Sequence, residues 1–253
     1  MKATLPVLGI ALLAAVPAYA QGADPASILT VQSFVLDPKG TVGHLTLKNE
    51  GTKKITAYAV RSESDSTVQL LYDYYPMIGL RPVSDWAPAA PPYEAGGVKP
   101  GALTERLVTF HEGDKIPALR VSAVVFADRT ALGDEADISA VFQHRSAIAA
   151  ELKGWCAGDP LAGATGTDKD ADRAALRRFG DRLAAAEAAA PKDNGGGWGG
   201  VARRFILSLT NERRPEIDLE EHEGARLAWA VDSVRRICAS AALHSTRAAG
   251  GDQ

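Results

Sequence analysis

The chain has 253 residues, of which 46% are hydrophobic and 23% charged, and its formal net charge is -3. This balance lacks the basic excess that a phosphate backbone requires, so we expect no nucleic-acid partner. Beyond the first twenty residues the sequence has no long apolar run, which argues against stable membrane insertion of the mature chain.

The first twenty residues have the composition of a signal peptide. Lys2 is their only charged residue, residues 5–16 are apolar, and residues 18–20 are Ala-Tyr-Ala, a small-residue cleavage signal. The apolar run is too short to span a bilayer comfortably. We therefore predict that the mature chain begins at Gln21 and is exported, either to the periplasm or as a secreted protein.

Residues 21–133 have the pattern of a sandwich of short strands. Segments of alternating or β-branched residues are separated by turn signals at fairly regular spacing. The main segments are residues 28–36, 42–48, 54–61, 68–75, 103–110 and 121–127. The last of these is apolar on both faces, as expected for a strand in the middle of a sheet. The pattern predicts an immunoglobulin-like antiparallel β-sandwich.

The architecture is expected to change just after this strand. Asp128 predicts a turn, because its side chain can bond the backbone two residues on. Asp134 is placed to cap a helix whose first turn is acidic. Apolar residues then recur at intervals of three and four, which predicts an α-helical region over residues 134–246 and an α+β fold class. Residues 247–253 are expected to be disordered.

Cys156 and Cys238 are the two cysteines of the chain. Export into an oxidising compartment permits them to pair, which would staple the helical region. A disulfide between them closes a loop of about eighty residues and is worth on the order of 4 kcal/mol in the chain-entropy model. Two buried free thiols are the alternative.

None of the motifs for catalysis or metal binding is complete. Residues 168–172 resemble the start of an EF-hand loop, but Arg173 and Phe179 occupy the positions that require Gly and a bidentate Glu. His111 and His222 each precede Glu, as in zinc proteases, yet neither has a second His four positions on. We therefore predict no catalytic residue, no metal and no cofactor.

One aromatic patch is a candidate binding surface for a protein or a glycan. It combines the tyrosines of the segment at 68–75 with rings in the proline-rich stretch that follows. Its members are Tyr72, Tyr74, Tyr75, Trp86 and Tyr93. The alternative is that alternate tyrosines pack inward and the others cover the edge of the sandwich.

Four short motifs lie in the strands and turns of this half. They are Lys-Ile-Thr-Ala-Tyr at 54–58, Lys-Pro-Gly at 99–101, Ala-Val-Val-Phe-Ala-Asp at 123–128 and Gly-Asp at 133–134. Together they resemble a loose group of uncharacterised exported bacterial proteins with an immunoglobulin-like sandwich and a helical C-terminal region. The resemblance covers about residues 28–150 and implies the fold, but it brings no catalytic residue. In that group Gly usually follows the Phe-Ala-Asp turn, where this chain has Arg129.

An exported, non-enzymatic binding or interaction module of unknown ligand is the function that these features favour. One alternative is a hydrolase that uses Asp or Glu with His near the junction of the two halves. Its candidate groups are His111, Asp114 and Asp128. A second alternative is a structural subunit whose helical region docks into a larger envelope complex.

Overall fold

The computed structural model describes residues 24–63, 68–75, 77–78, 96–109, 118–189, 219–240 and 243–248. The strands of this part are β1 (Leu29–Leu36), β2 (Val42–Asn49), β3 (Ile55–Ser62), β4 (Val68–Asp73), β5 (Leu103–Thr109), β6 (Leu119–Phe126) and β7 (Ala131–Gly133). Its helices are α1 (Pro25–Ile28), α2 (Glu135–Trp155), α3 (Lys169–Ala189) and α4 (Leu219–Ser240). Apart from the short α1, strands precede helices, and the predicted α+β class is confirmed.

The strands form two antiparallel sheets that pack face to face. One sheet has the order β1-β2-β5 and the other the order β4-β3-β6-β7. Their inward side chains share one hydrophobic core, in which Leu45 and Leu47 of β2, Tyr58 of β3 and Val124 of β6 are fully buried. Burial alternates along β2, as expected for a strand with one face on a core and the other toward solvent.

Strand β6 lies inside its sheet, between β3 and β7. Val124 belongs to the core between the sheets, whereas Ala123 and Val125 pack against α2 through Ile138 and Val141. Both faces of the strand are therefore buried, which is the physical reason that apolar residues follow one another without a break from 123 to 127. The prediction of a mid-sheet strand is confirmed.

The turn after β6 and the start of α2 follow the local chemistry of two aspartates. The Asp128 carboxylate accepts a hydrogen bond from the Thr130 amide at 3.0 Å. Arg129 between them has a φ of +70°, a left-handed conformation that favours glycine. The Asp134 carboxylate accepts hydrogen bonds from two amides in the first turn of α2, at 3.0 and 3.1 Å. The predicted turn and helix cap are both confirmed.

The helices continue the core of the sandwich. Ile148 and Leu152 of α2 belong to the same buried cluster as Phe179 of α3 and Val231 and Val234 of α4. The side chain of Asp168 accepts from two amides at the start of α3. The apolar residues that recur at intervals of three and four in this region thus face a common interior in all three helices.

A disulfide joins the end of α2 to α4. It links Cys156, the C-cap of α2, to Cys238, and the two Cα atoms lie 5.4 Å apart. Both cysteines of the chain are used, so the predicted pairing is confirmed and the alternative of two free thiols is wrong.

The described chain continues beyond residue 247, where the sequence predicts disorder. Arg247 pairs with Glu135 of α2 at 2.8 Å. The Ala248 amide donates to the Arg129 carbonyl at 3.3 Å. Charged and backbone groups of this segment thus find partners that a local sequence pattern cannot reveal.

Several predicted features lie outside the described residues. They are the signal peptide at 1–20, residues 190–218 of the helical region, the residues at 249–253 and most of the proline-rich stretch. Among the helices that the structure does describe, none combines the length and the apolar composition needed to cross a membrane.

Candidate functional site

The most concentrated polar chemistry of the described chain lies between α2 and the four-stranded sheet. The guanidinium of Arg145 donates from Nε and Nη2 to the carboxylate of Asp73, at 2.9 to 3.2 Å. Arg145 is fully buried and the side chain of Asp73 is 2% exposed. This is a bidentate ion pair that solvent does not reach. The two charges can be buried because each neutralises the other.

Three neighbours complete this cluster. His144 Nδ1 lies 3.3 Å from Asp73 Oδ2. Arg145 Nη2 also donates to the Thr56 hydroxyl at 3.1 Å, and that hydroxyl lies 3.2 Å from two carbonyls of β6. Burial raises the pKa of Tyr75, with the charge of Arg145 opposing and that of Asp73 adding to the shift.

A second ion pair fixes the beginning of α2. Arg61 of β3 donates from Nε and Nη2 to the two oxygens of Asp137, each at 2.7 Å. Ser122 of β6 donates to the same carboxylate at 2.6 Å. Burial by itself would raise the pKa of Asp137, but the bonds from Arg61 and Ser122 outweigh it, and this pKa lies below its usual value.

The two pairs have opposite polarity. In one pair the sheet provides the cation, Arg61, and the helix provides the anion, Asp137. In the other the sheet provides the anion, Asp73, and the helix provides the cation, Arg145. Asp137 and Arg145 are eight positions apart, or about 12 Å along the helix axis. Because a reversed or shifted helix would bring like charges together, this pattern specifies one orientation of α2 on the sheet.

The arrangement is suited to holding a helix and poorly suited to catalysis. Asp73, His144 and Arg145 are all buried, whereas a general acid or base must reach a proton on its substrate. The hydroxyl of Thr56 is already engaged with Arg145 and two carbonyls. Among the described residues, no group of three or more His, Cys, Asp or Glu side chains could hold a metal ion.

Of the three groups on which the hydrolase alternative depends, the structure describes only Asp128. Asp128 is half-exposed, pairs with Lys53 at 2.8 Å and bonds Thr130. Burial alone would raise the pKa of Asp128, but these bonds lower it overall. His111 and Asp114 lie outside the described residues. Asp128 thus takes part in a surface turn.

Three members of the predicted aromatic patch are described. Tyr74 and Tyr75 are buried, whereas Tyr72 is half-buried and stacks against Tyr58 with ring centroids 5.7 Å apart. Two of the three rings are therefore packing groups, although they are adjacent in sequence and do not alternate as the packing alternative expected. Trp86 and Tyr93 lie outside the described residues.

Arg106 of β5 organises these tyrosines and was not identified from the sequence. Its guanidinium lies 3.8 Å from the centre of the Tyr72 ring and donates to the Tyr74 hydroxyl. The same hydroxyl lies 3.4 Å from the Thr104 hydroxyl. Arg106 thus ties β5 to β4 and closes one side of the sandwich.

The ion pairs of α2 also escaped sequence analysis, although the sequence contains a usable signal. The apolar stripe of α2 has a gap at residues 144–145, where His and Arg stand on the buried side of the helix. Charged residues at stripe positions indicate buried partners elsewhere in the chain. The partners, Asp73 and Arg61, come from strands with no local feature that marks them.

One sheet face of the sandwich presents apolar side chains to solvent. On the outer face of β1-β2-β5, Val35 and Leu107 are each 61% exposed. They flank His44 in one cross-strand row. Leu103, further along β5, is 56% exposed. Such a group of exposed aliphatic residues on one face is typical of an interaction surface.

An open cavity of about 460 Å³ with charged walls lies beside α3. It contains Arg178 and Arg182, with Asp159 and Asp181 among its further walls. The two arginines donate to the carbonyls of Ala162 and Pro160, at 2.8 and 3.1 Å. The two arginines thus hold the loop before α3, and the negative charges of the two aspartates offset the positive charges of the arginines.

The fold and these sites define a class: a two-sheet sandwich with one outer face covered by a helical region and the other open to solvent. Comparison with protein-family models, with curated proteins and with solved structures finds no match to this chain.

Proposed function

We propose that the protein is an exported, non-enzymatic interaction module that binds a protein partner through the outer face of β1-β2-β5. The observation that carries this proposal is the unequal covering of the two sheets. Helix α2 packs on the outer face of the other sheet through Ile138 and Val141. The β1-β2-β5 face instead exposes Val35, Leu103 and Leu107.

The chemistry of this face favours a protein over a glycan. Its exposed apolar groups are aliphatic, whereas sugar faces are recognised chiefly by stacking on aromatic rings. Lys48 and Glu105 of the same face have opposite charges, so neither sign of charge dominates. The partner that fits is an uncharged, largely apolar protein surface.

The buried polar cluster supports a non-enzymatic role. Asp73 and Arg145 neutralise each other away from solvent and fix a helix. A rigidly mounted helical region would leave the sandwich as a preformed platform, which lowers the entropy cost of binding. In this proposal the helical region has a structural role, and the β1-β2-β5 face has the binding role.

Two features support export. Residues 1–20 have the composition of a signal peptide. The Cys156–Cys238 disulfide suits an oxidising compartment such as the periplasm or the extracellular medium. Mass spectrometry of the protein from cell fractions tests this: we expect a mature chain that begins at Gln21, and an unprocessed cytoplasmic chain would contradict it.

We further infer that the sandwich is of the immunoglobulin-like type. A three-stranded sheet faces a four-stranded one, and β2 pairs with β5 and β3 with β6 across long stretches of chain. Greek-key connections between the sheets of such domains produce pairings of this kind.

The binding proposal is tested with a face variant and a matched control. Val35→Ser with Leu107→Ser removes the two most exposed aliphatic groups of the face. Leu243→Ser is the control, because Leu243 is 56% exposed and belongs to no strand of the β1-β2-β5 sheet. The readout is quantitative recovery of cross-linked proteins from the exported fraction of the native cell, with folding of each variant verified by thermal melting.

We expect the wild type and Leu243→Ser to recover the same partner, and the double variant to recover at least about tenfold less, since each buried aliphatic side chain contributes about 1.5 to 3 kcal/mol. Equal recovery by all three proteins would contradict the proposal. Light scattering over a concentration series tests the alternative that the protein is a structural subunit, because it measures whether the protein self-assembles. Self-assembly that the double variant abolishes would identify the partner as a second copy.

A further inference from the structure

Residues 243–248, here called the C-terminal strap, lie across α2 and the β6–β7 turn. The Ser146 hydroxyl of α2 donates to the Ser245 carbonyl at 3.0 Å. The Arg129 side chain donates to the Leu243 carbonyl at 3.3 Å. Arg247 forms an ion pair with Glu135, and the Ala248 amide donates a hydrogen bond to the Arg129 carbonyl. The strap is therefore held at both ends and near its middle.

His244 is the histidine of the strap, and its ring faces the protein. Its Nδ1 is buried and has no hydrogen-bond partner among the described residues. Four charged groups act on it: Arg145 of α2, Arg129 of the β6–β7 turn, Lys54 before β3 and Asp73 at the end of β4. His144, beside Asp73, is the other imidazole of this region.

This position suits a neutral imidazole and opposes a charged one. A neutral ring can carry its proton on Nε2 and leave Nδ1 bare, whereas the imidazolium has a proton on both nitrogens. The second proton would then be a buried donor with no described acceptor, which is costly. It would also add a positive charge beside two arginines and a lysine, with Asp73 as the opposing acid.

We propose that the C-terminal strap is a pH-dependent latch, docked on α2 when His244 is neutral and released when His244 is protonated. The strap forms one wall of an open groove of about 550 Å³ along α2. The helix side of this groove is lined by Glu135, Ile138, Ser139, Phe142, Gln143 and Ser146. Release removes that wall and uncovers the α2 residues that line the groove.

The direction of the effect follows from proton linkage. Burial first, and then the charges of Arg145 and Arg129, lower the pKa of His244 below its usual value of 6.5. The released strap binds protons more tightly than the docked strap, so acid favours release. Docking is fully favoured above about pH 6.5 and weakens as the pH falls toward the lowered pKa.

The latch is tested by hydrogen exchange of the full mature chain, followed by NMR between pH 7.5 and pH 5. The readout is the protection factor of the Ala248 amide, which donates to Arg129, relative to amides in the middle of α2. In the wild type we expect this ratio to fall about tenfold for each unit by which the docked pKa lies below the free value.

His244→Gln should make the ratio independent of pH, whereas His44→Gln, at an exposed position on β2, should behave as the wild type. Identical profiles for the wild type and His244→Gln would overturn the proposal. If His244→Gln prevents docking at every pH, titration of the His244 ring in the wild type decides. A pKa at or above 6.5 overturns the latch, and a lower pKa that coincides with loss of protection supports it.

Discussion

The carboxylate of Asp73 receives three contacts of 2.9 to 3.2 Å from the guanidinium of Arg145, and solvent reaches almost none of either side chain. Asp73 ends β4 and Arg145 lies in the middle of α2, so this pair joins the β-rich and helical halves of the chain. An ion pair this deeply buried contributes more to the orientation of the helix than to net stability.

Removing one partner of this pair should destabilise the protein strongly. For Arg145→Met we expect the free energy of unfolding to fall by about 3 to 5 kcal/mol, because Asp73 remains as an uncompensated buried charge. Urea denaturation measures the change. Adding Asp73→Leu should restore a substantial part of the loss. Glu50→Gln, which breaks the exposed Lys48–Glu50 pair, should cost less than about 1 kcal/mol. A double variant as unstable as the single variant would contradict this account.

Asp137 should contribute to acid sensitivity. Its pKa is lowered from the usual 3.8 because the bonds from Arg61 and Ser122 outweigh the effect of burial. This contribution to stability is present above about pH 4 and is lost as the pH falls through the lowered pKa. Urea midpoints measured from pH 6 to pH 2 should therefore decline less steeply for Asp137→Asn than for the wild type. Parallel curves would show that other carboxylates dominate acid unfolding.

Reduction of the disulfide should loosen the helical half first. Breaking Cys156–Cys238, which are 82 positions apart, should lower stability by up to about 4 kcal/mol. Hydrogen exchange should show the larger loss of protection in α4 and the smaller in β3 and β6. Reductant should leave a variant with both cysteines changed to Ser unaffected. Equal loss in the sandwich would mean that the two halves unfold as one unit.

Gly133 should not tolerate a side chain. Its φ is +117°, and an added Cβ would lie 2.1 Å from the Ser122 carbonyl oxygen. We expect Gly133→Ala to cost more than about 3 kcal/mol in urea denaturation, since strain and overlap combine. Gly101→Ala is the matched control, with a φ of +75° and open space around the position. It should cost only about 1 to 2 kcal/mol, the strain of a left-handed residue alone. Equal losses would exclude the close approach of β6 and β7 as the cause.

Much of the fold could be predicted because its signals are local. The two-sided apolar run of β6, the Asp128 turn and the Asp134 cap each depend on residues within a few positions. The disulfide could also be predicted, since a chain with two cysteines has one possible intramolecular pairing.

The sites were less predictable because they join distant parts of the chain. Tyr74 and Tyr75 have the composition of a binding surface, yet their rings are buried. Whether a ring packs or faces solvent depends on residues such as Arg106, which lies about thirty positions away and ties Tyr74 to β5. The strap is a similar case, because its partners Glu135 and Arg129 precede it by more than a hundred positions.

The amino-acid sequence alone determined the order of the six longer strands and the position of the change from strands to helices, because hydrophobic period and turn chemistry act over short distances. The structure added the short α1 and β7 and decided between the disulfide and the free thiols. Only the tertiary structure decided which face of the sandwich the helices cover, which tyrosines are buried, and that Asp73 and Arg61 meet Arg145 and Asp137. The physical reason is that burial and ion pairing depend on groups that come together from distant parts of the chain. The residues next to a group in sequence therefore do not predict them.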